Sequence, residues 1–339
     1  MSNESMRAMQ IGSAGLTDFR LSEQPIPRPG KDEILVRVRA ASLNYRDLVV
    51  LKGIYKPDIT FPFVPLSDAC GEVVEIGSEV TRFKTGDRVV PTFIQGWPSG
   101  MPIAERRADW TLGWPRTGVL QDYIVVPADD AVAAPSNLSD VEAATLPIAA
   151  VTAWSALNAG RIKAGDWVLV EGTGGVALFA LQFAKSMGAS VALITSTDEK
   201  VARVKALGAD CAINYRSIPN WESAVRAATG GRGVDIVVET AGSTLPQALS
   251  ALAFGGFVGI VGFLGGFETR LPLVPLIEKM IRIQGIAVGP RDQFEAMTRA
   301  IVAHDIKPVI ESVFPLDQVA DAFALMDRGG HFGKIAVQL

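Results

Sequence analysis

Asp166-Trp-Val-Leu-Val-Glu-Gly-Thr-Gly-Gly-Val-Ala177 is the stretch that decides the fold of this chain. Trp167–Glu171 is an apolar run that predicts a buried strand, and at the glycines the chain turns sharply into an apolar helix. Gly172, Gly174 and Ala177 are spaced G-x-G-x-x-A. The first glycine permits the tight turn, the second lets backbone approach a pyrophosphate, and the small third residue lets helix and strand pack closely. The helix N-terminus then offers free N–H groups and a partial positive charge. In this strand–turn–helix setting the spacing predicts a dinucleotide site, with Gly172, Thr173, Gly174, Gly175 and Val176 around the phosphates.

Working downstream, helix and strand patterns alternate. Val176–Met187 reads as a helix, Val191–Thr195 as a strand, Glu199–Leu207 as a helix and Cys211–Asn214 as a short strand. Trp221–Thr229 is a helix, Val234–Glu239 a strand, Leu245–Ala253 a helix, and Phe257–Gly262 and Ile281–Ala287 are the last strands. These strands are continuous apolar runs, as expected of strands covered on both faces. The alternation predicts an α/β, doubly wound parallel sheet.

Upstream, the first 130 or so residues differ. Short strands at Glu33–Ala40, Gly71–Ile76, Arg88–Pro91 and Leu120–Val126 are separated by Pro- and Gly-rich turns, which predicts an irregular all-β unit. Past Gly289 come a helix (Gln293–His304), an apolar segment (Val309–Val313), a helix (Leu316–Met326) and a terminal strand (Lys334–Leu339).

The chain has 339 residues, enough for about two domains. Hydrophobic residues make up 48% and charged residues 20%, so sizeable cores can form. A net charge of −4 gives no reason to expect nucleic acid or an anionic membrane as partner. Cys70 and Cys211 cannot build a disulfide framework, and they read as small buried hydrophobes in a reduced, cytoplasmic setting. Met1–Gln10 is polar and lacks the apolar core of a secretory signal. Thr240–Phe267 carries no charge, but Pro246 and the glycines Gly255, Gly256, Gly259, Gly262, Gly265 and Gly266 break it, so it reads as a helix and a buried strand rather than a membrane span.

Several phrases, in order, resemble the medium-chain dehydrogenase/reductase superfamily. They are Glu33-Ile-Leu-Val-Arg-Val, Ser42-Leu-Asn-Tyr-Arg-Asp47, Gly71-Glu-Val-Val-Glu-Ile-Gly77, Phe83-Lys-Thr-Gly-Asp-Arg-Val-Val90, Ala144-Thr-Leu-Pro147, the glycine turn, and Gly333-Lys-Ile. The resemblance spans the whole chain and is strongest to the zinc-free, quinone-oxidoreductase-like branch, some members of which carry an alcohol dehydrogenase label. It implies a GroES-like β domain from 1–135 with 290–339, and a Rossmann domain from 136–289.

Zinc members of the family place a Cys where this chain has Asn44, a His-Glu pair at Ser67-Asp68 and a third ligand near Ile148. None of these is a good ligand, although Asp68 could coordinate weakly. The structural zinc of the family needs four Cys between Pro91 and Val119, and that segment has none. The two His, His304 and His331, lie far from these motifs in sequence. No zinc is therefore expected. Simple alcohol oxidation generates an alkoxide, the kind of species a metal stabilises. Reducing a quinone or an activated enone leaves a delocalised oxyanion that needs only hydrogen bonds and a proton.

An NAD site usually places an acid at the end of the second strand to hold the ribose. Here that strand ends Leu193-Ile-Thr-Ser-Thr197, and Ser196-Thr-Asp-Glu199 reads as a capping box for the next helix. Lys200 and Arg203 lie nearby, where a 2′-phosphate would be welcome. The resemblance implies that Ser196, Lys200 and Tyr215 hold that phosphate; the alternative for Lys200 is a solvated helix position. NADPH is expected in preference to NADH.

The resemblance places the Asn44 amide near the nicotinamide or the substrate carbonyl; the other explanation is a cap for the helix that follows. Asp47 could orient Asn44, or serve as a plain surface or capping residue. Tyr55 matches a proton-donating tyrosine of zinc-free enoyl-thioester reductases, or packs as an ordinary aromatic. Thr152 resembles a position beside the nicotinamide, or is an interior helix hydroxyl. Phe263 and Val288 are expected to line the cofactor cleft. The lobe Phe93–Trp114 is either an aromatic lid or a self-packed replacement for the zinc lobe. The expected activity is hydride transfer from NADPH to a quinone or α,β-unsaturated carbonyl. Its rivals are metal-free alcohol or aldehyde oxidoreduction, and nucleotide binding with little catalysis. A homodimer joined at the last sheet strand is expected, since that edge would otherwise be exposed.

Overall fold

The computed structural model describes residues 5–54, 59–104 and 110–339. The chain divides into a β unit, Met1–Ala149 with Pro290–Leu339, and a parallel-sheet unit, Ala150–Gly289. Residues 136–149 fall in the β unit, where Arg88 Nη2 pairs with Asp140 Oδ1 at 2.7 Å.

The β unit opens with a hairpin of β1 (Ser5–Ile11) and β2 (Phe19–Pro25). Sequence pattern did not signal it, because β1 alternates short apolar stretches with polar residues. Met6, Ala8, Met9 and Ile11 are nonetheless its buried side. The main sheet is built from β3 (Glu33–Ser42), β4 (Asp68–Ile76), β5 (Arg88–Pro91), β6 (Tyr123–Pro127) and β7 (Ala131–Ala133). Two strands near the end of the chain complete it, β14 (Ile310–Pro315) and β15 (Lys334–Gln338). Their order is β14-β15-β3-β4-β5-β7, with β6 also on β3. β15 runs antiparallel to β3, with Ala336 opposite Ser42 and Val337 opposite Ala41. That pairing sets Lys334 beside the segment that leads out of β3. Val36, Val73, Val89, Val126, Phe323 and Ile335 form part of the core beneath. The apolar stretch read as one helix over Leu316–Met326 is a 3₁₀ turn, Leu316–Gln318, followed by the helix Val319–Arg328.

The second unit holds a six-stranded, all-parallel sheet. Its strands are β8 (Trp167–Glu171), β9 (Ser190–Thr195), β10 (Cys211–Asn214), β11 (Val234–Glu239), β12 (Leu252–Ile260) and β13 (Arg282–Gly285). The order β10-β9-β8-β11-β12-β13 reverses direction between β8 and β11, the switch point at which such sheets bind ligands. β12 begins at Leu252, directly after the helix Leu245–Ala251 and five residues before the start expected at Phe257. Gly255, which with Gly256 had the look of a turn, lies inside the strand at φ +74°. The β11–β12 register shifts beside it, so the glycine pair marks an irregularity in the strand rather than its start. Among the described residues no helix is long and apolar enough to cross a membrane; Thr240–Phe267 contributes one helix and β12.

Candidate active site

In the parallel-sheet unit the glycine turn has the shape its sequence demands. Gly172 sits at φ +79°, a conformation open to glycine and strained for side chains, and its N–H donates to Ile194 O at 2.8 Å. A Cβ added at Gly172 would meet nothing nearer than Thr240 Oγ1 at 4.0 Å, and at Gly174 nothing within 4 Å. The space over the turn is thus open at the end of the helix Gly175–Ser186, whose first N–H groups lack helical partners. Gly174 is that helix's cap, and Ala177 is buried at the packing position assigned to the small third residue. Thr173 is buried in the turn and Val176 half-buried in the first helical turn.

The carboxyl end of β9 gathers the residues expected around a ribose phosphate. The Tyr215 N–H donates to Thr195 O at 2.9 Å, which sets Tyr215 beside Ser196. The helix Asp198–Ala206 is capped by Thr197 rather than Ser196, because the Thr197 hydroxyl accepts the Lys200 N–H at 3.2 Å. The expected capping box from Ser196 to Glu199 does not form, because with Thr197 as the cap the third helical residue is Lys200, and Ser196 lies outside the cap. Asp198 is engaged by Asn214 Nδ2 at 2.8 Å. Phe263 and Phe267 lie ring to ring, with centroids 5.0 Å apart. Val288 is held at φ +63°, an outlier for a β-branched residue and of the kind found at functional sites. Thr152 is buried on the helix Val151–Ala159.

Two carboxylates end β8 and β11 at the switch point. Glu171 and Glu239 are both buried. Thr244 Oγ1 lies 2.9 Å from Glu171 Oε2 and 2.9 Å from Glu239 Oε1, so its one hydroxyl bridges them. Glu239 also accepts the Ala241 and Gly242 N–H groups at 2.8 and 2.7 Å. Burial, then the charge of Glu239 and a hydrogen bond to it, push Glu171 well above the usual carboxylate range. Of the two, Glu171 is the carboxyl whose charged form this setting disfavours.

The β unit carries the second cluster. Asn44 caps the helix Tyr45–Leu51, and Asp47 Oδ2 accepts the Asn44 N–H at 2.8 Å. Asp47 is thus a capping residue as well as a buried neighbour of Asn44. The Asn44 side chain is drawn elsewhere: Lys334 Nζ donates to Asn44 Oδ1 at 2.7 Å and to the Leu43 carbonyl. Asp68 Oδ2 accepts the Ile148 N–H at 3.3 Å, and Ser67 Oγ lies 3.4 Å from Asp68 Oδ1. Burial pushes the Asp68 carboxyl up, opposed by the Lys334 charge and the Asn44 amide. Burial pushes Asp47 up to about 6, opposed by Arg46. Burial also lowers the Lys334 ammonium, with Asp68 and then Asp47 acting to keep it charged. The positions that carry zinc ligands in metal-bearing relatives are therefore brought together here, with a buried ammonium among them.

The lobe that follows β5 is packed on itself. Arg46 lies over the Phe93 ring at 4.9 Å and donates to Trp114 O at 2.6 Å, Arg116 covers Trp110 at 4.1 Å, and the Gln95 N–H meets Trp110 O at 2.9 Å. Cys70 is buried with its thiol pushed up by burial, and Cys211 is half-buried. Tyr55 lies outside the described residues.

Residues 30–136 match the alcohol dehydrogenase GroES-like domain family, and residues 175–303 match the zinc-binding dehydrogenase family. A zinc-type alcohol dehydrogenase-like protein of Schizosaccharomyces pombe is 40% identical over 337 residues, 96% of each chain. The chain belongs to the medium-chain dehydrogenase/reductase superfamily. A solved Sinorhizobium meliloti 1021 protein bearing a provisional alcohol dehydrogenase name is 44% identical over all of both chains, with a TM-score of 0.94. A structure of the 2-octenoyl-CoA carboxylase reductase CinF with NADP and 2-octenoyl-CoA superposes with a TM-score of 0.87 at 26% identity, covering 98% of this chain and 87% of the other.

As a medium-chain dehydrogenase/reductase, the protein is an NAD(P)-dependent oxidoreductase with a Rossmann unit and a GroES-like unit. The open glycine turn and the helix end behind it fit a dinucleotide. The zinc-relative positions do not fit a metal. Asn44, Ser67, Asp68 and Ile148 offer one carboxylate and no thiolate or imidazole, and Lys334 already occupies Asn44 Oδ1. Among the described residues no three or more of His, Cys, Asp and Glu assemble as a metal group. Three residues of these clusters escaped the sequence: Lys334, Glu171 and Glu239. The available signal was an ionisable residue at the end of an apolar strand, where burial is the default.

Proposed function

We propose that this protein is a zinc-independent reductase that delivers hydride from NADPH to a quinone or an α,β-unsaturated carbonyl. The observation that carries this is the Asn44 amide, held by a buried lysine at the place where metal-bearing relatives would hold zinc. An amide donor suffices for a delocalised oxyanion, whereas a simple alkoxide calls for a stronger Lewis acid. NADPH supplies the hydride when bound. In this proposal Asn44 donates to the carbonyl oxygen, Asp47 holds the Asn44 backbone, and Tyr55 returns a proton to the enolate. Thr152, Phe263 and Val288 shape the nicotinamide end. Ser196, Lys200 and Tyr215 hold the 2′-phosphate, since β9 carries no acid at its end and Asp198 is engaged by Asn214. The likeness to an NADP-bound enoyl-thioester reductase supports the same direction.

The test is an NADPH-oxidation screen across quinones, enones, enoyl thioesters and aldehydes, with and without chelator. Turnover of enones or quinones that chelator leaves unchanged is expected; chelator-sensitive oxidation of simple alcohols would overturn the proposal. Lys200→Ala is expected to raise the NADPH KM about tenfold and leave the NADH KM alone, the size of one lost charge-assisted contact. We also propose a homodimer through the β13 edge. Val274, Ile277 and Met280 expose 64, 73 and 65% of their surface beside this four-residue strand. Light scattering that returns a monomer would exclude it.

A further inference from the structure

Lys334 and Asn44 carry an inference that rests on the proposed role of Asn44 toward a substrate carbonyl. Lys334 is buried, and its ammonium has three donors and no acceptor. The amide atom 2.7 Å from Nζ is therefore the oxygen, whichever way an amide is otherwise drawn. Nδ2 then faces away from Lys334. Asn44 is only 7% exposed, and among the described residues Nδ2 meets no acceptor at full hydrogen-bond geometry. The Asp68 carboxylate is near enough to draw one amide hydrogen, and an NH2 group has a second hydrogen that is left without an acceptor. A buried donor left unpaired is costly. Turning the amide over to pair Nδ2 would set N–H against the ammonium, so Lys334 holds the orphan donor in place.

We propose that Lys334 is a positioning residue for the reduction: it locks the Asn44 amide with Nδ2 presented to the substrate's carbonyl oxygen and polarises it. A cation on Oδ1 draws density from the N–H and strengthens it as a donor when negative charge grows on the substrate oxygen. Positive charge thus reaches the oxyanion through one amide instead of through a metal. The antiparallel pairing of β15 with β3 delivers Lys334 to this place, and Asp68 and Asp47 favour its charge.

A double-mutant cycle tests this. Lys334→Met, Asn44→Ala and the pair are compared in kcat and KM for an enone, with NADPH affinity read separately by fluorescence. Each single change is expected to lower kcat by about 100-fold, the low end of the range for a lost oxyanion donor. KM for the enone and NADPH affinity should move by less than roughly threefold, and Lys334→Met should add less than roughly threefold once Asn44 is Ala. Multiplicative losses overturn the proposal. Lys334→Met leaves two buried carboxylates without their cation, so Lys334→Met/Asp68→Asn is run beside it, with folding checked by thermal melting. If that pair folds and keeps full kcat, the proposal is overturned. A second readout needs no turnover: the C=O stretch of cyclohexanone bound in the presence of NADP+, by difference infrared. It should be red-shifted in the natural protein, restored toward the free value in Asn44→Ala, and partly restored in Lys334→Met/Asp68→Asn. A shift indifferent to Lys334 overturns the positioning role. A shift that responds to both residues in a protein that reduces no enone or quinone upholds it and overturns the proposed reaction instead.

Discussion

Two buried carboxylates of the β unit, Asp47 and Asp68, have a cation among them; those of the parallel-sheet unit, Glu171 and Glu239, have none among the described residues. Around Lys334 the lysine's charge pulls down on both aspartates against the effect of burial. At the switch point, among the described residues, nothing positive answers burial. Backbone N–H groups and Thr244 serve Glu239, and Glu171 is pushed well above the usual carboxylate range. Either device lets a carboxyl pair live in a dry interior, but they fail differently. Removing the cation should leave charges stranded, whereas removing a carboxyl from the pair without a cation should remove a strain.

The largest effect expected follows from the first half of that contrast. Lys334→Met should lower unfolding stability by about 3–5 kcal/mol, the range for a buried charge cluster that loses one partner. Lys334→Met/Asp68→Asn should recover most of it, and urea unfolding of the two variants measures the difference. Equal losses in both would mean that Lys334 packs and does not neutralise.

The pH dependence comes next. Asp47 has a folded pKa of about 6, above its unfolded value, so its contribution is fully present below about pH 4 and is lost as pH rises through 6. The step is on the order of 3 kcal/mol. Asp47→Asn keeps an oxygen for the Asn44 N–H and should flatten the fall in urea midpoint between pH 4 and 6.5. An unchanged slope would show that Asp47 is not the titrating group. Glu171 adds to that fall with the same sign, because its folded pKa is also raised. Glu171→Gln can give Glu239 a permanent N–H donor. A gain of about 2 kcal/mol at pH 8 is expected, with little change at pH 4. A loss at pH 8 would erase the distinction between the two clusters.

The strands of the parallel sheet were legible because they are short, largely apolar runs between helical segments, and their burial depends on little beyond their own composition. β8, β10 and β11 fall where their sequences place them. β12 was misplaced because Gly255-Gly256 interrupts its apolar run, whereas β11 pairs with it on both sides of the interruption, at Leu252 and again from Phe257. The β1–β2 hairpin was missed because its apolar residues are sparse and become a buried side only against the rest of the β unit. Asn44 was legible as a candidate, since it stands where a ligand would. Its orientation was not legible, because the residue that sets it is 290 positions away.

By itself, then, the sequence determined what depends on neighbours along the chain: a glycine turn opening a helix, apolar strands in alternation with helices, and the lack of thiolates or imidazoles at the zinc positions. Those properties follow from backbone freedom and side-chain chemistry over a few residues. The tertiary structure alone decided which buried charges meet. Among the described residues, strand pairing brought Lys334 to Asn44 with no matching carboxylate in hydrogen-bond contact, and brought Glu171 to Glu239 with no cation beside them. Long-range pairing of strands sets those encounters, and inside a low-dielectric interior the encounter, more than the residue type, sets where each proton resides.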